Sequence, residues 1–419
     1  MLDAVVIGGG QAGLAVSHHL ARRGIEHTVL ERGRVAETWR TQRWDSFALN
    51  TPSWMNLLPG EKDPVEPRDA FIGRDAYIAR LQEYAETNRV PIRTGVNVTA
   101  VAARPDGDTF VVTADDTTGT SEIEARSVIV ASGLQRIPKI PVLGRALPDG
   151  VRQVHAADYR SPADLPTGAA LIVGSAQSGV QIAEDLLEAG RTVFLCTSAV
   201  ARVRRRFRGR DTMEWLVGAG FFDVTPDRLP DPRMRLAKMP TTSGLGRFGH
   251  TVGLQALAER GAILLGRPTA VEGDRLLLDD TVGANIAFGD ARSAEINVEV
   301  EKIVQAMAPD APPLEPDPAD APHPDPMSVR SPRELDLDAA GVGTVVWATG
   351  FGGDLGYLTV PVFDDQGTPV HQRGVAKVPG IYFVGFPWLH DRKSGIILGV
   401  DQDSAYIADR VATRGTVRS

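Results

Sequence analysis

Three glycines near the start of the chain have the spacing that holds the phosphates of a dinucleotide. Gly8, Gly10 and Gly13 form the pattern G-x-G-x-x-G between an apolar run, residues 4–7, and a helical pattern, residues 14–23. In such a turn the first glycine allows the tight bend, the second lets the backbone approach a pyrophosphate, and the third lets helix and strand pack closely. The N-terminus of the helix then turns free N–H groups towards the phosphates.

An acidic residue stands where such a unit contacts the adenosine ribose. A second apolar pattern, residues 25–30, ends in Glu31, whose carboxylate can accept hydrogen bonds from ribose hydroxyls. Strand, glycine turn, helix, second strand and acid follow one another in order. This order favours dinucleotide binding over an ordinary glycine-rich turn.

The same arrangement occurs a second time. An apolar run leads into the turn at residues 174–179, with the letters GSAQSG, and a helical pattern follows. The separation from its first glycine to Thr197 equals that from Gly8 to Glu31. Ala176 replaces the middle glycine, and a threonine replaces the acid.

Cationic residues follow the second copy instead of a carboxylate. Thr197 and Ser198 lead into an arginine-rich stretch that contains Arg204, Arg205 and Arg206. A ribose 2′-phosphate is repelled by a carboxylate and held by guanidinium groups. We therefore predict FAD at the first turn and NADPH at the second; a solvated basic face is the alternative interpretation of the arginines.

An aromatic segment follows the first nucleotide unit. Trp39 and Arg40 precede residues 44–54, which contain two further tryptophans and a phenylalanine. We interpret the segment as a pocket wall beside a flat cofactor, with Asn50 and Thr51 as hydrogen-bonding groups. A packed loop, with Asn50 as a turn residue, is the alternative.

Small residues and a helix N-terminus complete the predicted cofactor contacts. Residues 132–133 and 348–350 end two apolar strand patterns, and the return segment 385–395 leads into a helix from Ile396. A helix N-terminus directed at the flavin would stabilise the negative charge of the reduced ring. His390 is a candidate for the chemistry, with an ordinary loop histidine as the alternative.

The candidate catalytic residues are therefore Asn50 and His390. The candidate cofactor-binding residues share positions at strand ends and helix starts, and they are Gly8, Gly10, Gln11, Ala12, Gly13, Glu31, Arg32, Trp39, Arg40, Asn50, Thr51, Ser132, Gly133, Gly174, Ser175, Gln177, Ser178, Gly179, Thr197, Ser198, Arg204, Arg205, Arg206, Ala348, Thr349, Gly350, Gly385, Ser394, Gly395 and Ile396. We predict no metal site.

The elements that position these residues predict an α/β fold of two Rossmann-like, three-layer domains, with the NADPH domain inserted into the FAD domain. We predict residues 1–163 and 341–419 as the two parts of the FAD domain and residues 164–340 as the NADPH domain. The Pro- and Asp-rich residues 309–332 are predicted to form a mobile acidic loop or linker.

Local patterns predict several individual elements. Residues 74–87 and 295–307 show helical periodicity, and residues 123–125 and 127–131 are predicted as two separate strands. Residues 137–141 are predicted to break regular structure and mark the exit from the first domain.

Composition narrows the function further. The chain has 419 residues, a net charge of −8 and one cysteine, Cys196. The negative charge disfavours a nucleic-acid binder, and one cysteine excludes an internal disulfide or a C-x-x-C pair. No apolar run is long enough to span a bilayer, so we expect a cytoplasmic protein without membrane contact. A homodimer is the candidate assembly.

The pattern resembles the class B flavin-dependent monooxygenases: the flavin-containing monooxygenases, the plant YUCCA enzymes and the bacterial CzcO-like group. Nearly the whole chain carries the resemblance, through the two glycine turns, Glu31, residues 39–40 and 50–52, the strand ends at 132–133 and 348–351, and the return at 385–395. It implies tightly bound FAD, reversibly bound NADPH and Asn50 near the reactive edge of the flavin.

One motif departs from the family. The class B linker fingerprint, F-x-G-x-x-x-H-x-x-x-(Y/F/W), is matched in its second half by His155 and Tyr159. Asp149 and Val151 stand at its phenylalanine and first glycine positions.

The resemblance implies oxygenation of a small organic substrate by dioxygen through a flavin hydroperoxide. Amines, sulfides, ketones and activated aromatic compounds are all candidate substrates. The alternatives are an NAD(P)H-dependent reductase or oxidase without oxygen insertion and a non-catalytic flavin-binding partner protein; two intact nucleotide turns argue against the last, because a sensor needs only one.

Overall fold

The computed structural model describes residues 1–62, 67–105, 107–237 and 239–416. Within them the strands are, in chain order, β1 (Leu2–Ile7), β2 (His27–Glu31), β3 (Ala48–Pro52), β4 (Phe71–Gly73), β5 (Ile92–Thr94), β6 (Asn97–Ala103), β7 (Phe110–Asp116), β8 (Gly119–Val130), β9 (Ile137–Pro138), β10 (Arg152–His155), β11 (Ala169–Val173), β12 (Val193–Cys196), β13 (Arg206–Phe207), β14 (Arg210–Asp211), β15 (Ile263–Leu265), β16 (Pro268–Glu272), β17 (Arg275–Leu278), β18 (Glu334–Asp336), β19 (Val342–Trp347), β20 (Phe351–Gly352), β21 (His371–Gln372), β22 (Val375–Ala376) and β23 (Ile381–Phe383). The α-helices are α1 (Gln11–Arg22), α2 (Glu37–Thr41), α3 (Arg74–Thr87), α4 (Gln177–Glu188), α5 (Thr212–Gly218), α6 (Leu254–Glu259), α7 (Val282–Met307) and α8 (Ile397–Thr416).

The first sheet has nine strands, and its parallel part runs in the order β23-β8-β1-β2-β5. Both faces of its central strand are buried. Ala4 and Val6 pack into an apolar cluster with α1, α3 and α8, whereas Val5 and Ile7 pack into a second cluster with β6 and β7. A strand covered on both faces must be apolar throughout, which explains the unbroken apolar run.

The second sheet has five parallel strands in the order β10-β19-β11-β12-β15. Along β11, Ala170 and Ile172 face one apolar cluster, and Leu171 and Val173 face the other. The carboxyl ends of parallel strands meet at one edge of a sheet, where open α/β sheets bind ligands. The prediction of two Rossmann-like α/β domains, one inserted into the other, is confirmed.

The predicted domain boundaries need correction. Strand β10 falls within the segment 1–163 and β19 falls within the segment 341–419, yet the two strands pair with each other in the second sheet. By sheet pairing, the inserted domain therefore includes at least residues 152–347. Sequence periodicity shows that a strand exists but does not show which sheet it joins.

Two short strands connect the domains where the chain crosses between them. Strand β9 pairs antiparallel with β20, with Pro138 opposite Phe351. The ribbon is extended by a hydrogen bond from the Lys139 N–H to the Gly350 carbonyl at 3.0 Å. The predicted domain exit at residues 137–141 therefore contains a strand, paired with the return crossing.

Two further elements differ from the sequence prediction. The strands predicted at 123–125 and 127–131 are parts of one long strand, β8, which joins the antiparallel meander to the parallel sheet. Helix α7 begins at Val282 rather than at residue 295. The helix predicted at 74–87 is confirmed, because α3 has the same bounds. No helix in the described ranges is long and apolar enough to cross a bilayer.

The Pro- and Asp-rich segment is anchored to the second domain, so the expectation of a mobile loop or linker is wrong. Asp320 is buried and accepts hydrogen bonds from the side chains of Arg202, Ser293 and Asn297. Asp317 accepts one from the Thr251 hydroxyl at 2.6 Å. A low apolar content does not prevent ordering when carboxylates find buried donors.

We expect Asp320→Ala to release this segment. The change leaves the buried Arg202 with Asp290 as its remaining carboxylate, so it should lower the free energy of unfolding by about 3 kcal/mol. Urea denaturation measures that loss, and limited proteolysis should show new cleavage within residues 309–332. The exposed Asp310→Ala is the matched control; equal protease sensitivity of both variants would contradict the anchoring role.

Candidate active site

Both glycine turns open onto one cavity of about 1070 Å³, which residues of both domains line. The cavity lies at the carboxyl ends of β1, β8, β11 and β19, and the residues that follow each of these strands form its walls. One space thus joins the two predicted nucleotide sites.

The first turn has the geometry that a pyrophosphate site requires. Gly8 has φ +113°, and a Cβ atom there would lie 2.6 Å from the carbonyl oxygen of Ala131. A Cβ atom at Gly13 would lie 1.8 Å from the carbonyl oxygen of Gly8, whereas one at Gly10 would meet nothing within 4 Å. The outer two glycines are required by the fold, and the middle one leaves open space at the N-terminus of α1.

The carboxylate of Glu31 is held at the cavity wall by backbone donors. Its Oε2 accepts from the Gly9 N–H at 2.6 Å and its Oε1 accepts from the Gly33 N–H at 2.8 Å. Each oxygen keeps a further lone pair. The residues present therefore fit an adenosine ribose beside a pyrophosphate.

The second turn repeats the backbone of the first. Gly174 has φ +111°, and a Cβ atom at Gly179 would lie 1.9 Å from the Gly174 carbonyl oxygen. Ala176 has φ −79° and ψ −175°, close to the φ −85° and ψ −173° of Gly10. The fold accepts a methyl group at this position, and the space beyond it remains open for a second nucleotide.

The end of β12 carries neutral polar groups. The hydroxyl of Thr197 donates to the Leu265 carbonyl at 3.0 Å and accepts from the Asn285 amide at 2.9 Å. The Ser198 N–H donates to the Ser175 hydroxyl at 2.9 Å. A phosphate would meet no carboxylate at the position that corresponds to Glu31.

The aromatic segment forms a wall of the cavity. The indole N–H of Trp39 donates to the side-chain oxygen of Gln11 at 3.1 Å, which fixes the ring beside the first turn. Trp44 packs edge-to-face against Phe47 at 5.1 Å between ring centroids. Leu49 lines the same wall, so this part of the cavity is apolar.

Asn50 and Thr51 line the cavity on strand β3. The Thr51 hydroxyl donates to the side-chain oxygen of Asn56 at 2.8 Å, and Asn56 also lines the cavity. The backbone carbonyl of Asn50 accepts from Arg205 at 3.2 Å. The catalytic role of Asn50 stays a prediction.

The return segment places the N-terminus of α8 at the cavity. Gly395 and Ile396 line it immediately before the helix, and Gly385 lies against the start of α1. A Cβ atom at Gly385, which has φ +80°, would lie 2.6 Å from the Ala12 Cβ atom. The N-termini of α1 and α8 therefore approach the same space.

His390, the second candidate catalytic residue, lies outside the residues that line the cavity, and its catalytic role stays a prediction. It does not line the cavity, and neither does Ser394, a predicted cofactor contact. The Ser394 hydroxyl instead accepts hydrogen bonds from the backbone N–H groups of His390 and Asp391. Burial and the neighbouring Arg373 lower the pKa of His390, which favours a neutral ring within this turn.

The three arginines predicted to hold a 2′-phosphate do not line the cavity. Arg205 is buried and pairs with the buried Asp211. Arg206 pairs with the same carboxylate at 2.8 Å, and Arg204 donates to backbone carbonyls, including that of Glu315. Their guanidinium groups stabilise the fold, so that prediction is corrected.

Most other predicted contacts are brought together. The cavity is lined by Gly8, Gly10, Gln11, Ala12, Glu31, Arg32, Trp39, Asn50, Thr51, Ser132, Gly133, Gly174, Ser175, Gln177, Ser178, Thr197, Ser198, Ala348, Thr349, Gly350, Gly385, Gly395 and Ile396. Gly13, Gly179 and Arg40 do not line the cavity. Gly13 and Gly179 instead allow each helix to pack closely on the backbone of the preceding turn. Three lining arginines were missed: Arg43, Arg136 and Arg267.

The two matched residues of the linker fingerprint have structural partners. The His155 ring lies 3.1 Å from the Gly350 carbonyl oxygen, next to the crossing between the domains. The Tyr159 hydroxyl donates to Asp185 of α4 at 2.6 Å, and burial raises the pKa of Tyr159. His155 thus contacts the crossing between the domains, whereas Tyr159 fastens its segment to α4 within the second domain.

We expect two alanine variants of the first turn to separate folding from cofactor binding. Gly10→Ala should fold normally but weaken FAD binding about tenfold or more, equivalent to ~1.4 kcal/mol, because its methyl group enters the space left open for the ligand. Gly13→Ala should lower the free energy of unfolding by about 3 kcal/mol, because it forces a clash between backbones. Fluorescence titration with FAD and urea denaturation measure the two effects; loss of the fold in Gly10→Ala would contradict this assignment.

The chain matches the family model described as pyridine nucleotide-disulphide oxidoreductase over residues 5–211. An uncharacterized oxidoreductase, CzcO-like, of Geobacillus kaustophilus is 28% identical over 414 residues, with 98% of each chain covered. The indole-3-pyruvate monooxygenase YUCCA1 of Oryza sativa subsp. japonica is 31% identical over 248 residues, which are 59% of this chain and 60% of that protein.

The fold is also similar to that of solved flavoproteins. The flavin-containing monooxygenase from Stenotrophomonas maltophilia has a TM-score of 0.62 at 19% identity, with 98% of each chain covered. The chain has a single cysteine, Cys196, so it cannot use an internal dithiol pair. Cys196 is buried, and burial raises the pKa of its thiol. The chain is a flavin-dependent oxidoreductase with FAD and NADPH as cofactors, and it is similar to the class B flavin-dependent monooxygenases.

Proposed function

We propose that this chain is an NADPH-dependent FAD monooxygenase that inserts one oxygen atom of dioxygen into a small organic substrate. The observation that carries the proposal is that two dinucleotide turns of matching backbone conformation open onto one cavity. Such a cavity holds two nucleotides with their reactive rings close together, and holding the reactants in position is a contribution that a protein makes to a reaction between two cofactors.

The residues of the first domain hold FAD. The carboxylate of Glu31 accepts from the ribose, and the open space at Gly10 admits the pyrophosphate to the N-terminus of α1. The N-terminus of α8, at Ile396, supports negative charge on the flavin. Neutral amide groups at Asn50 and Asn56 line the space beside it.

The second turn holds NADPH, and Arg267 is the residue that we assign to its 2′-phosphate. Arg267 follows β15, the neighbour of β12, and lines the cavity together with Ser175 and Ser198. Its guanidinium group is 3.4 Å from the Asp279 carboxylate and is largely exposed, so it can turn towards a phosphate. Two hydroxyls and one guanidinium group suit a phosphate dianion.

The protein supplies position and shielding to the reaction. When bound, NADPH supplies a hydride and FAD supplies the two-electron chemistry that activates dioxygen. Trp39, Trp44, Phe47 and Leu49 form the wall that keeps water away from the seam. Side-chain acids and bases are not required for this chemistry, and the apolar wall suits an uncharged reacting group.

We expect Arg267→Met to reduce the preference for NADPH. The loss of one charge-assisted contact should raise the KM for NADPH about tenfold, equivalent to ~1.4 kcal/mol, with little change for NADH. Steady-state oxidation of each nucleotide by the FAD-loaded enzyme measures the ratio. Arg206→Met is the control, because Arg206 pairs with Asp211 away from the cavity. If the KM values for NADPH and NADH change equally, the phosphate assignment fails.

Oxygen insertion is tested with labelled dioxygen. The FAD-loaded enzyme is supplied with NADPH, ¹⁸O₂ and a panel of amines, sulfides, ketones and phenols, and mass spectrometry follows the products. We expect one ¹⁸O atom in a product and less hydrogen peroxide than NADPH consumed. Stoichiometric hydrogen peroxide with every compound unlabelled would instead identify an oxidase, the alternative that the substituted linker positions Asp149 and Val151 leave open.

We further propose a cytoplasmic enzyme that assembles as a homodimer. Light scattering of the FAD-loaded protein after size-exclusion chromatography tests the assembly. Fractionation of cells that express the full chain tests the location. Neither result bears on the chemistry, because both nucleotide turns lie in one chain.

A further inference from the structure

A guanidinium group at the cavity wall lies against two neighbouring aromatic rings. Arg43 lines the cavity, with its central carbon 5.1 Å from the centroid of the Trp39 ring and 5.4 Å from that of Phe47. Both rings belong to the apolar wall. Contacts of this kind hold an arginine in place while leaving its N–H edge free.

The charge of Arg43 is not neutralised by the protein. Within the parts of the chain that the structure describes, no carboxylate lies within 4.0 Å of its nitrogens. The other arginines missed in the cavity differ, since Arg136 lies 3.2 Å from Asp354 and Arg267 lies 3.4 Å from Asp279. Arg43 is therefore a cation without a counter-ion.

The hydrogen-bonding capacity of Arg43 is only partly used. Its Nη1 donates to the Gln42 carbonyl at 2.8 Å and its Nη2 donates to the Gln135 side-chain oxygen at 2.7 Å. An arginine has five N–H donors, so three carry no bond to a described residue. Burial alone lowers the pKa of Arg43, to about 10, and the group stays protonated at neutral pH.

The segment that carries Arg43 belongs to the first domain and is fixed to the second. The Asp45 N–H donates to the Arg160 carbonyl at 2.8 Å, and the Ser46 hydroxyl donates to Asp185 of α4 at 2.7 Å. Trp44 packs in the apolar cluster of the second domain. Arg43 therefore lies at the seam, within the space that both nucleotides share.

We propose that Arg43 binds an anionic oxygen group, a phosphate or a carboxylate, of a ligand that enters this seam. A cation that has no carboxylate beside it attracts an anion, and an arginine fork matches both groups in geometry. The phosphate would come from NADPH and the carboxylate from the organic substrate. The inference rests on the proposed function, because it assumes that these ligands meet in the cavity.

The test measures binding without turnover. FAD-loaded wild type and Arg43→Met are titrated anaerobically with NADP⁺, with benzoate and phenylpyruvate, and with the neutral analogues benzamide and phenylacetone, and tryptophan fluorescence reports binding. Arg126→Met is the charge-matched control, since Arg126 pairs with Asp3 outside the cavity. Arg43→Lys keeps a charge but loses the fork, and it serves as the second variant if Arg43→Met does not fold.

We expect the dissociation constant of one class of anion to rise at least about tenfold in Arg43→Met, less in Arg43→Lys, and not in the control. If only the binding of NADP⁺ weakens, the partner of Arg43 is the phosphate of the nucleotide. If only the binding of the carboxylates weakens, the partner is the carboxylate of the substrate. The proposal is overturned if the dissociation constant of every anion changes less than about twofold. It is also overturned if the binding of the neutral analogues weakens as much as that of the matching carboxylates. Because no oxygen chemistry is involved, this result is independent of whether ¹⁸O enters a product.

Discussion

The distance between the end of a strand and the start of the next helix is the constraint on which this structure depends. At Gly13 and at Gly179 a Cβ atom would lie within 2 Å of a backbone carbonyl oxygen, at 1.8 Å and 1.9 Å. Backbone therefore packs on backbone, and each helix must begin immediately beyond its strand. Since this happens once in each domain, two helix N-termini approach one cavity, and nucleotide binding follows from packing before any charged side chain contributes.

Arginines in this chain serve three different purposes, and only their surroundings tell them apart. Arg205 is buried against Asp211 and belongs to the fold, because removing its partner would leave an unpaired charge. Arg267 is exposed at the cavity rim and free to turn towards a phosphate. Arg43 lines the cavity against two aromatic rings, with no carboxylate of the described residues within 4.0 Å of its nitrogens. The same residue type thus belongs to the fold at Arg205 and is proposed to bind ligand groups at Arg267 and Arg43.

Local patterns in the sequence predicted the fold well wherever backbone geometry dictates residue type. The two glycine turns, the apolar strands and helix α3 are examples, because close packing and burial leave few alternatives there. The first half of α7 was missed because it contains Gly283 and Gly289, which are poor helix formers. A Cβ atom at Gly283 would lie 2.5 Å from the Pro326 carbonyl oxygen, so tertiary packing selects glycine there against helix propensity.

The site was less predictable where contacts join distant segments. The run of arginines in the sequence led us to predict the 2′-phosphate near Arg205. The structure pairs the Arg205 guanidinium group with the carboxylate of Asp211, only six residues further on. Arg267, which does line the cavity, follows a short strand whose neighbour in the sheet is not evident from periodicity. Sheet order also decided that β10 and β19 belong to the inserted domain.

The ribbon of β9 and β20 has a mechanical consequence. The two crossings between the domains are hydrogen-bonded to each other, with Gly352 opposite Ile137 and the Lys139 N–H bonded to the Gly350 carbonyl. The domains are therefore joined by one paired ribbon rather than by two independent tethers. A change that distorts one crossing would be transmitted to the other through these hydrogen bonds.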